Sequence, residues 1–304
     1  MDNHIVCFDI GGTAVKYGIF NEADDKLVEQ GKFDTRLDDG DAVLGEMQEV
    51  IEDYQKRYHV TGVSFSSPGF IDTKNGVILS GNIINGFNGL NLAETFQTRC
   101  HVPVAVENDA NCAAAAEYLL GNGRGSHNLA CVTLGTGVGG GLVLDGKIHS
   151  GSHAMGGEFG FMFINGLHSE KPEEDIFSND CSTRALQEKA SEVVGRDIKG
   201  PEIFEKAEQG DPVLGEVLDK YYMALAMGIY NICYLVDPDT VLIGGAVSQQ
   251  PALIDNVKKK LSELTPSFSV DLNDLIKLDR CLYLNDAGLV GSYCSFKNKY
   301  DREK

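Results

Sequence analysis

The first apolar run of the chain, IVCFDI, ends with Asp9, and Gly11, Gly12 and Thr13 follow at once, with Lys16 three residues on. Phosphate oxygens need backbone N–H groups, an unobstructed approach and a nearby cation. The glycines supply the first two, and Lys16 supplies the third if the chain folds it inward. Asp9, at a strand end, suits a magnesium ion held directly or through water. A plain glycine turn with a surface lysine has the same sequence pattern. A second glycine run, Gly135-Thr136-Gly137-Val138-Gly139-Gly140, has the spacing of a dinucleotide fingerprint. That fingerprint needs a helix after its glycines. Here another apolar run, GLVLD, follows, so the dinucleotide reading is rejected. A GxxxxGK[ST] phosphate loop is also absent.

The segment Glu107-Asn108-Asp109-Ala110-Asn111 falls where an apolar strand pattern gives way to a helical one. An aspartate at such a junction can serve simply as a helix N-cap. It can equally serve as a general base at a strand end, with the helix N-terminus favouring its ionised form. Asn108 offers an amide that both donates and accepts, as a sugar hydroxyl requires. Glu158, in Gly156-Gly157-Glu158-Phe159-Gly160, could accept two hydroxyl hydrogen bonds or stand as an ordinary loop acid.

The elements that must position these residues follow from periodicity. Residues 5–10 and 15–20 read as two strands around a glycine turn, a β-hairpin. Residues 129–134 and 141–145 repeat the theme about 125 positions later, which suggests two related lobes. Between the hairpins, 41–58 has helical spacing, 60–69 reads as a strand ending in a Ser-Pro-Gly turn, 91–99 as a short helix and 102–109 as a strand. Residues 109–125 read as a helix with Asp at its start and Gly-Asn-Gly-Arg-Gly as its stop. Beyond 150, residues 165–180 are polar and read as loop. Residues 182–195, 201–209, 211–236, 251–264 and 287–298 read as helices, and 240–248 as a strand running into glycine. Strands alternate with helices, so the fold class is α/β.

Composition narrows the function. Of 304 residues, 35 are glycine, near 12% against an average of about 7%, and they cluster in the runs already named and in the stretch containing Gly244 and Gly245. At roughly 150 residues per domain, the length suggests two domains. Lys and Arg total 26 against 45 Asp and Glu, a net charge of −19. Such a surface disfavours nucleic acid and anionic membranes. The opening residues show no basic and apolar leader pattern, and no run reaches 18 apolar residues, so neither signal peptide nor membrane span is expected. The eight cysteines form no CxxC pair and mostly sit among apolar neighbours, as reduced cytoplasmic thiols do. No zinc-ligand spacing is present.

Taken together, VENDANCAAAAE, LGTGVGGGLVLDGKIHSG and the segments 5–20, 62–70, 104–125, 130–160 and 240–247 resemble the ROK family of sugar kinases and repressors, within the hexokinase–actin–heat-shock ATPase superfamily. The resemblance implies two actin-like, ribonuclease H-like lobes around an interlobe cleft. They would be an N-terminal lobe of 1–108 and a C-terminal lobe of 109–286, with a final helix in 287–304 returning to the first lobe. It implies ATP and Mg²⁺. Asp9, Gly11, Gly12, Thr13 and Lys16 would form the first phosphate loop, Gly135, Thr136 and Gly137 the second, and Gly244 and Gly245 the adenosine region. Asp109 becomes the catalytic base that takes the proton of a sugar hydroxyl. Gly69, Asn82, Asn108 and Glu158 become sugar contacts, Asn82 amid irregular spacing. A homodimer is implied as the common family state.

Two departures bear on specificity. Where the family commonly carries a histidine three residues after its glutamate, this chain has Phe161. Residues 165–186 supply only Cys181 toward the family's zinc cluster, so no structural zinc is expected. An apolar ring in place of a hydrogen-bonding histidine should tolerate a substituted or missing hydroxyl. Zinc-less relatives of this kind include β-glucoside kinases, which act on the 6-hydroxyl of the glucose unit in cellobiose or aryl-glucosides. Glucokinase, fructokinase and N-acetylmannosamine kinase activities also fit the shared motif. A non-enzymatic sugar-responsive regulator is the competing class. It would need a DNA-binding segment ahead of Asp9 and a less acidic surface.

Overall fold

The computed structural model describes residues 2–266 and 270–300. In chain order the strands are β1 (Asn3–Ile10), β2 (Ala14–Asn21), β3 (Lys26–Asp34), β4 (His59–Ser67), β5 (Phe70–Asp72), β6 (Val77–Ser80), β7 (Val104–Asn108), β8 (Leu129–Leu134), β9 (Val138–Leu144), β10 (Lys147–Ile148), β11 (Thr240–Gly244) and β12 (Lys277–Arg280). The α-helices are α1 (Gly40–Arg57), α2 (Leu92–Cys100), α3 (Asp109–Leu119), α4 (Phe177–Cys181), α5 (Thr183–Val194), α6 (Gly200–Glu208), α7 (Pro212–Val236), α8 (Leu253–Leu264), α9 (Leu272–Leu275) and α10 (Ala287–Tyr300). No described helix is long and apolar enough to cross a membrane.

The chain divides into two compact units. One is drawn from Met1–Leu120, Lys147–Gly156 and Asn285–Lys304, the other from Gly121–Gly146 and Gly157–Leu284. The break expected after residue 108 therefore moves to 120. Helix α3 packs on α10 and stays with the first unit. So does the returning segment Lys147–Gly156, whose β10 touches both helices. The boundary expected at 286 likewise falls at 284.

In the first unit the sheet runs β3-β2-β1-β4-β7. β1 pairs antiparallel with β2 and parallel with β4, and β4 is parallel to β7. Alternation along β1 splits its side chains between two faces. Val6, Phe8 and Ile10 join Val43, Met47 and Ile51 of α1 and Phe96 of α2 in one core. Cys7 and Asp9 face the other way, toward α10. Helix α1 starts where Asp39 accepts the Ala42 N–H at 3.0 Å, an ordinary N-cap. β5 and β6 form a separate two-stranded antiparallel piece.

In the second unit the strands lie in the order β9-β8-β11-β12, with β8–β9 an antiparallel hairpin and β11 parallel to both β8 and β12. Val132, Leu134, Val241 and Ile243 share a core with Leu225 and Ile229 of α7 and Val257 and Leu261 of α8. α7 begins with Asp211 accepting from Val213 and Leu214 N–H groups and Pro212 at the first helical position, where a missing N–H costs nothing.

Candidate active site

In the first unit, strand register builds a polar row. Asp9 lies opposite Lys16 on one neighbour and Ser66 on the other, and Ser66 lies opposite Glu107. Paired residues share a face of the sheet. Four strands thus present Lys16, Asp9, Ser66 and Glu107 side by side on the face that packs against α10. Ser66 Oγ donates to Asp9 Oδ1 at 3.1 Å. Lys16 Nζ lies 3.8 Å from Asp9 Oδ2 and also donates to the Asn285 carbonyl. Burial pushes the Asp9 pKa up, Lys16 and the Ser66 hydrogen bond draw it back, and Asp286 adds to the rise. Lys16 therefore faces a carboxylate and a carbonyl rather than standing as a free surface cation. Gly12 and Thr13 sit exposed at the tip of the hairpin. Gly11 N–H donates to Ala14 O at 3.1 Å, and Thr35 ties the turn down through Gly11 O at 2.6 Å.

One residue past the end of β7, the helix begins. The cap of α3 is Asn108, whose Oδ1 accepts from the Ala110 and Asn111 N–H groups at 2.9 and 3.1 Å. The capping role available to Asp109 in the sequence therefore falls to its neighbour. Asp109 Oδ1 accepts from Ala110 N–H at 2.8 Å, and the Asn108 side chain also helps to stabilise its charged form. Its side chain is open to solvent, yet protein crowds it elsewhere. That crowding, with the negative charge of Asp9, pushes its pKa up to about 6. It is ionised at neutral pH and can still take a proton.

Asn108 also donates Nδ2 to Gly69 O at 3.0 Å, so it joins the Ser-Pro-Gly turn to the start of α3. Gly69 has φ +104°, and a Cβ there would fall 2.4 Å from Ser80 O. Asn82 is 6% exposed. Its Nδ2 donates to Ser67 Oγ and Pro68 O, and its Oδ1 accepts from Ile84 N–H. Asn82 thus braces the Ser-Pro-Gly turn through Ser67 and Pro68.

The remaining expected residues belong to the second unit. Gly135-Thr136-Gly137 forms the tip of the β8–β9 hairpin, with Gly135 N–H bonded to Gly137 O at 2.9 Å. The start of α5 clamps it. Thr183 N–H donates to Gly135 O, Thr183 Oγ1 to Leu134 O, and Arg184 Nε to Thr136 O. Gly244 pairs with Thr133, and Gly245 packs so tightly that a Cβ would fall 2.1 Å from Leu134 O. The two glycine pairs therefore meet at one end of this sheet. Glu158 is half-buried and opens a short 3₁₀ turn, with Phe161 N–H bonded to Glu158 O and the Phe161 ring 60% exposed. That turn lies directly on β9, since a Cβ on Gly160 would meet Val138 O at 2.1 Å. A cavity of about 570 Å³ in this unit, lined by Leu186, Lys189, Val217, Tyr221 and Met227 among others, holds none of these residues.

Sequence reasoning missed Ser66, Asp286, Thr183 and Arg184. Ser66 becomes visible only through strand register, and the others only through packing. Among the described residues there is no cluster of three or more His, Cys, Asp or Glu side chains placed to hold a metal. Asp9 nevertheless suits Mg²⁺, which keeps several waters and needs only one or two carboxylates.

The ROK family model matches residues 5–299. The chain belongs to the ROK family. A β-glucoside kinase of Listeria innocua is 32% identical over 303 residues, covering 99% of each chain. A ROK family protein from Streptococcus pneumoniae, solved with sucrose, superposes with a TM-score of 0.86 at 29% identity, covering 98% of this chain and 99% of that one. A ROK glucokinase from Streptomyces griseus, solved with glucose and AMPPNP, has a TM-score of 0.75 at 25% identity, covering 95% and 97%.

Proposed function

We propose that this ROK protein is an ATP-dependent sugar kinase that transfers the γ-phosphate to the 6-hydroxyl of a glucose unit, with β-glucosides such as cellobiose among its acceptors. The observation that carries the reading is Asp109: a carboxylate at the strand–helix junction, relieved of capping by Asn108, open to solvent and with its pKa pushed up to about 6. Such a group orients an attacking hydroxyl and takes its proton as the bond to phosphorus forms. The β-glucoside kinase at 32% identity over nearly the whole of both chains supports the substrate class. Phe161, three residues after Glu158 in the same 3₁₀ turn, supports it too, because an apolar ring makes no demand for a free anomeric hydroxyl.

Within this reading Gly12 and Thr13 offer backbone N–H groups to phosphate oxygens, while Gly11, its N–H held by Ala14 O, closes the turn that presents them. Thr136 and Gly137 do the same on the second glycine turn, which the Gly135 N–H closes, and Gly244 and Gly245 let the end of β11 pack close to β8 beside the adenosine region. Asp9 would hold Mg²⁺, directly or through water, and the ion supplies neutralisation of phosphate charge. Lys16 and Ser66 keep the Asp9 carboxylate in place. Asn108 and Glu158 contact sugar hydroxyls, while Gly69 and Asn82 shape the turn beside them. The acidic surface, net −19, fits a small-molecule partner rather than nucleic acid. Eight free, buried cysteines support a reducing, cytoplasmic setting. A homodimer, the common state of the family, belongs to the same reading.

A coupled ADP-release assay across glucose, N-acetylmannosamine and cellobiose tests the function. Turnover is expected with glucose units and highest with the β-glucoside. Asp109→Asn should keep the fold and lose roughly 10²–10⁴-fold in kcat, the usual worth of a general base. No ADP release with any sugar, or near-normal turnover by the variant, overturns the assignment.

A further inference from the structure

Glu107 ends the polar row that begins at Lys16, and neither the phosphate loops nor the sugar contacts use it. Its side chain is 7% exposed. One oxygen, Oε1, accepts from the backbone N–H of Asn108 and from Nδ2 of Asn111, both at 2.9 Å. These two residues flank Asp109 in the chain. Asn108 in turn caps α3 and reaches Gly69 O, and Asn111 is itself 5% exposed. Asp109 thus stands on a short arch pinned on both sides to a single buried oxygen. Glu107 also lines a cavity of about 240 Å³ of mixed polar and apolar walls, with Ser150, Ser295 and Lys299 among its polar residues, room enough for water beside a carboxyl group. Burial pushes the Glu107 pKa up to about 7, and the hydrogen bonds from Asn111 and Asn108 pull against that rise. A fold that keeps so costly a group under a two-residue arch is holding something in place.

We propose that Glu107 is a positioning residue for Asp109: by accepting from Asn108 and Asn111 it fixes the strand–helix junction and so aims the catalytic carboxylate. The proposal rests on the kinase reading above. Its acceptor oxygen is what matters, so an amide in its place should serve nearly as well.

The test compares Glu107→Ala and Glu107→Gln in the full-length enzyme, well below either melting temperature. Glu107→Ala should lower kcat by about tenfold or more, since a displacement of about 1 Å can cost 10²-fold, and leave KM for ATP close to wild type, with any rise in KM for sugar, through Asn108, smaller than the loss in kcat. Glu107→Gln should recover most of that loss, because its amide oxygen can accept both hydrogen bonds. Wild-type kcat in Glu107→Ala, an equal loss in both variants, or a change confined to KM overturns the proposal. If Glu107→Ala does not fold, Asn111→Leu decides. It removes one side of the brace and should lower kcat at unchanged KM, and unchanged kcat overturns the idea. Absence of turnover by the wild-type protein on every sugar overturns the kinase reading and this proposal with it. Wild-type turnover with an unaffected Glu107→Ala overturns this proposal alone.

Discussion

Asp109 sits one residue beyond the helix cap, and that offset sets its chemistry. A capping carboxylate spends its oxygens on backbone N–H groups, whereas Asn108 takes that duty here. Desolvation by the protein crowded around it, with the charge of Asp9, raises the Asp109 pKa to about 6. The base works only when ionised, so kcat/KM for the sugar should rise with pH and level off above about 6, falling roughly tenfold per unit on the acid side. A kcat/KM flat from pH 5 to 8 would contradict this role. Glu107 carries a related prediction for stability. Its folded pKa of about 7 lies above the ordinary 4.5, so the fold favours the protonated form. That contribution is complete below about pH 4.5 and is lost as pH rises through 7. Glu107→Gln, uncharged throughout, should melt progressively higher than wild type between pH 5 and 8, and near pH 4.5 the two should converge. Thermal melts at four pH values check the trend. The types and spacing of Asp9, Asn108 and Asp109 were legible in the sequence. The transfer of the cap from Asp109 to Asn108 was not, because it depends on where the last β7 hydrogen bond ends.

At the scale of elements, the first phosphate hairpin is held by its neighbours as much as by its own glycines. The N-terminus of α10 closes over Asp9. A Cβ on Gly288 would fall 2.2 Å from Asp9 Oδ1, and the Asn285 carbonyl receives Lys16. In Gly288→Ala the group most able to yield is the Asp9 carboxylate itself. Activity should therefore fall by about tenfold or more, with a greater Mg²⁺ requirement, while the melting temperature changes little. Kinetics at several Mg²⁺ concentrations beside a thermal melt check this, and a large loss of stability with normal kcat would contradict it. The hairpins and long helices were legible because their apolar residues keep clean periods. β3 was not, since KLVEQGKFD alternates only between exposed and half-buried positions, as an edge strand does. β5, β6 and β12 are three or four residues long, too short to show a period. The helix read to 125 stops at Leu119, and the strand read to 248 stops at Gly244, where a 3₁₀ turn over Ala246–Gln249 follows. The polar stretch 165–180 also hides the start of α4.

At the scale of the molecule, the first unit needs both ends of the chain. α10 packs on α3, β1, β4 and β7, burying Leu289, Val290, Tyr293 and Phe296, and Ser64 Oγ donates to Ser292 O at 2.7 Å. A Cβ on Gly291 would meet Cys112 O at 1.9 Å, so the two helices touch backbone to backbone. Truncation after Leu284 should leave the first unit without one layer of its core. Such a protein should lose cooperative melting by circular dichroism or fail to stay in solution. A truncated chain that melts cooperatively and keeps activity would refute the dependence.

The sequence by itself determined the α/β class, the two glycine hairpins and the carboxylate at 109. These rest on residue type and local period, which are properties of neighbours in the chain. The tertiary structure decided which residues support them. Ser66 and Glu107 reach the Asp9 row only through strand register, Gly288 reaches Asp9 only because the last helix returns, and the unit boundary falls at 120 because α3 packs on α10. Each of these depends on a contact between residues far apart in sequence, and no local pattern encodes that.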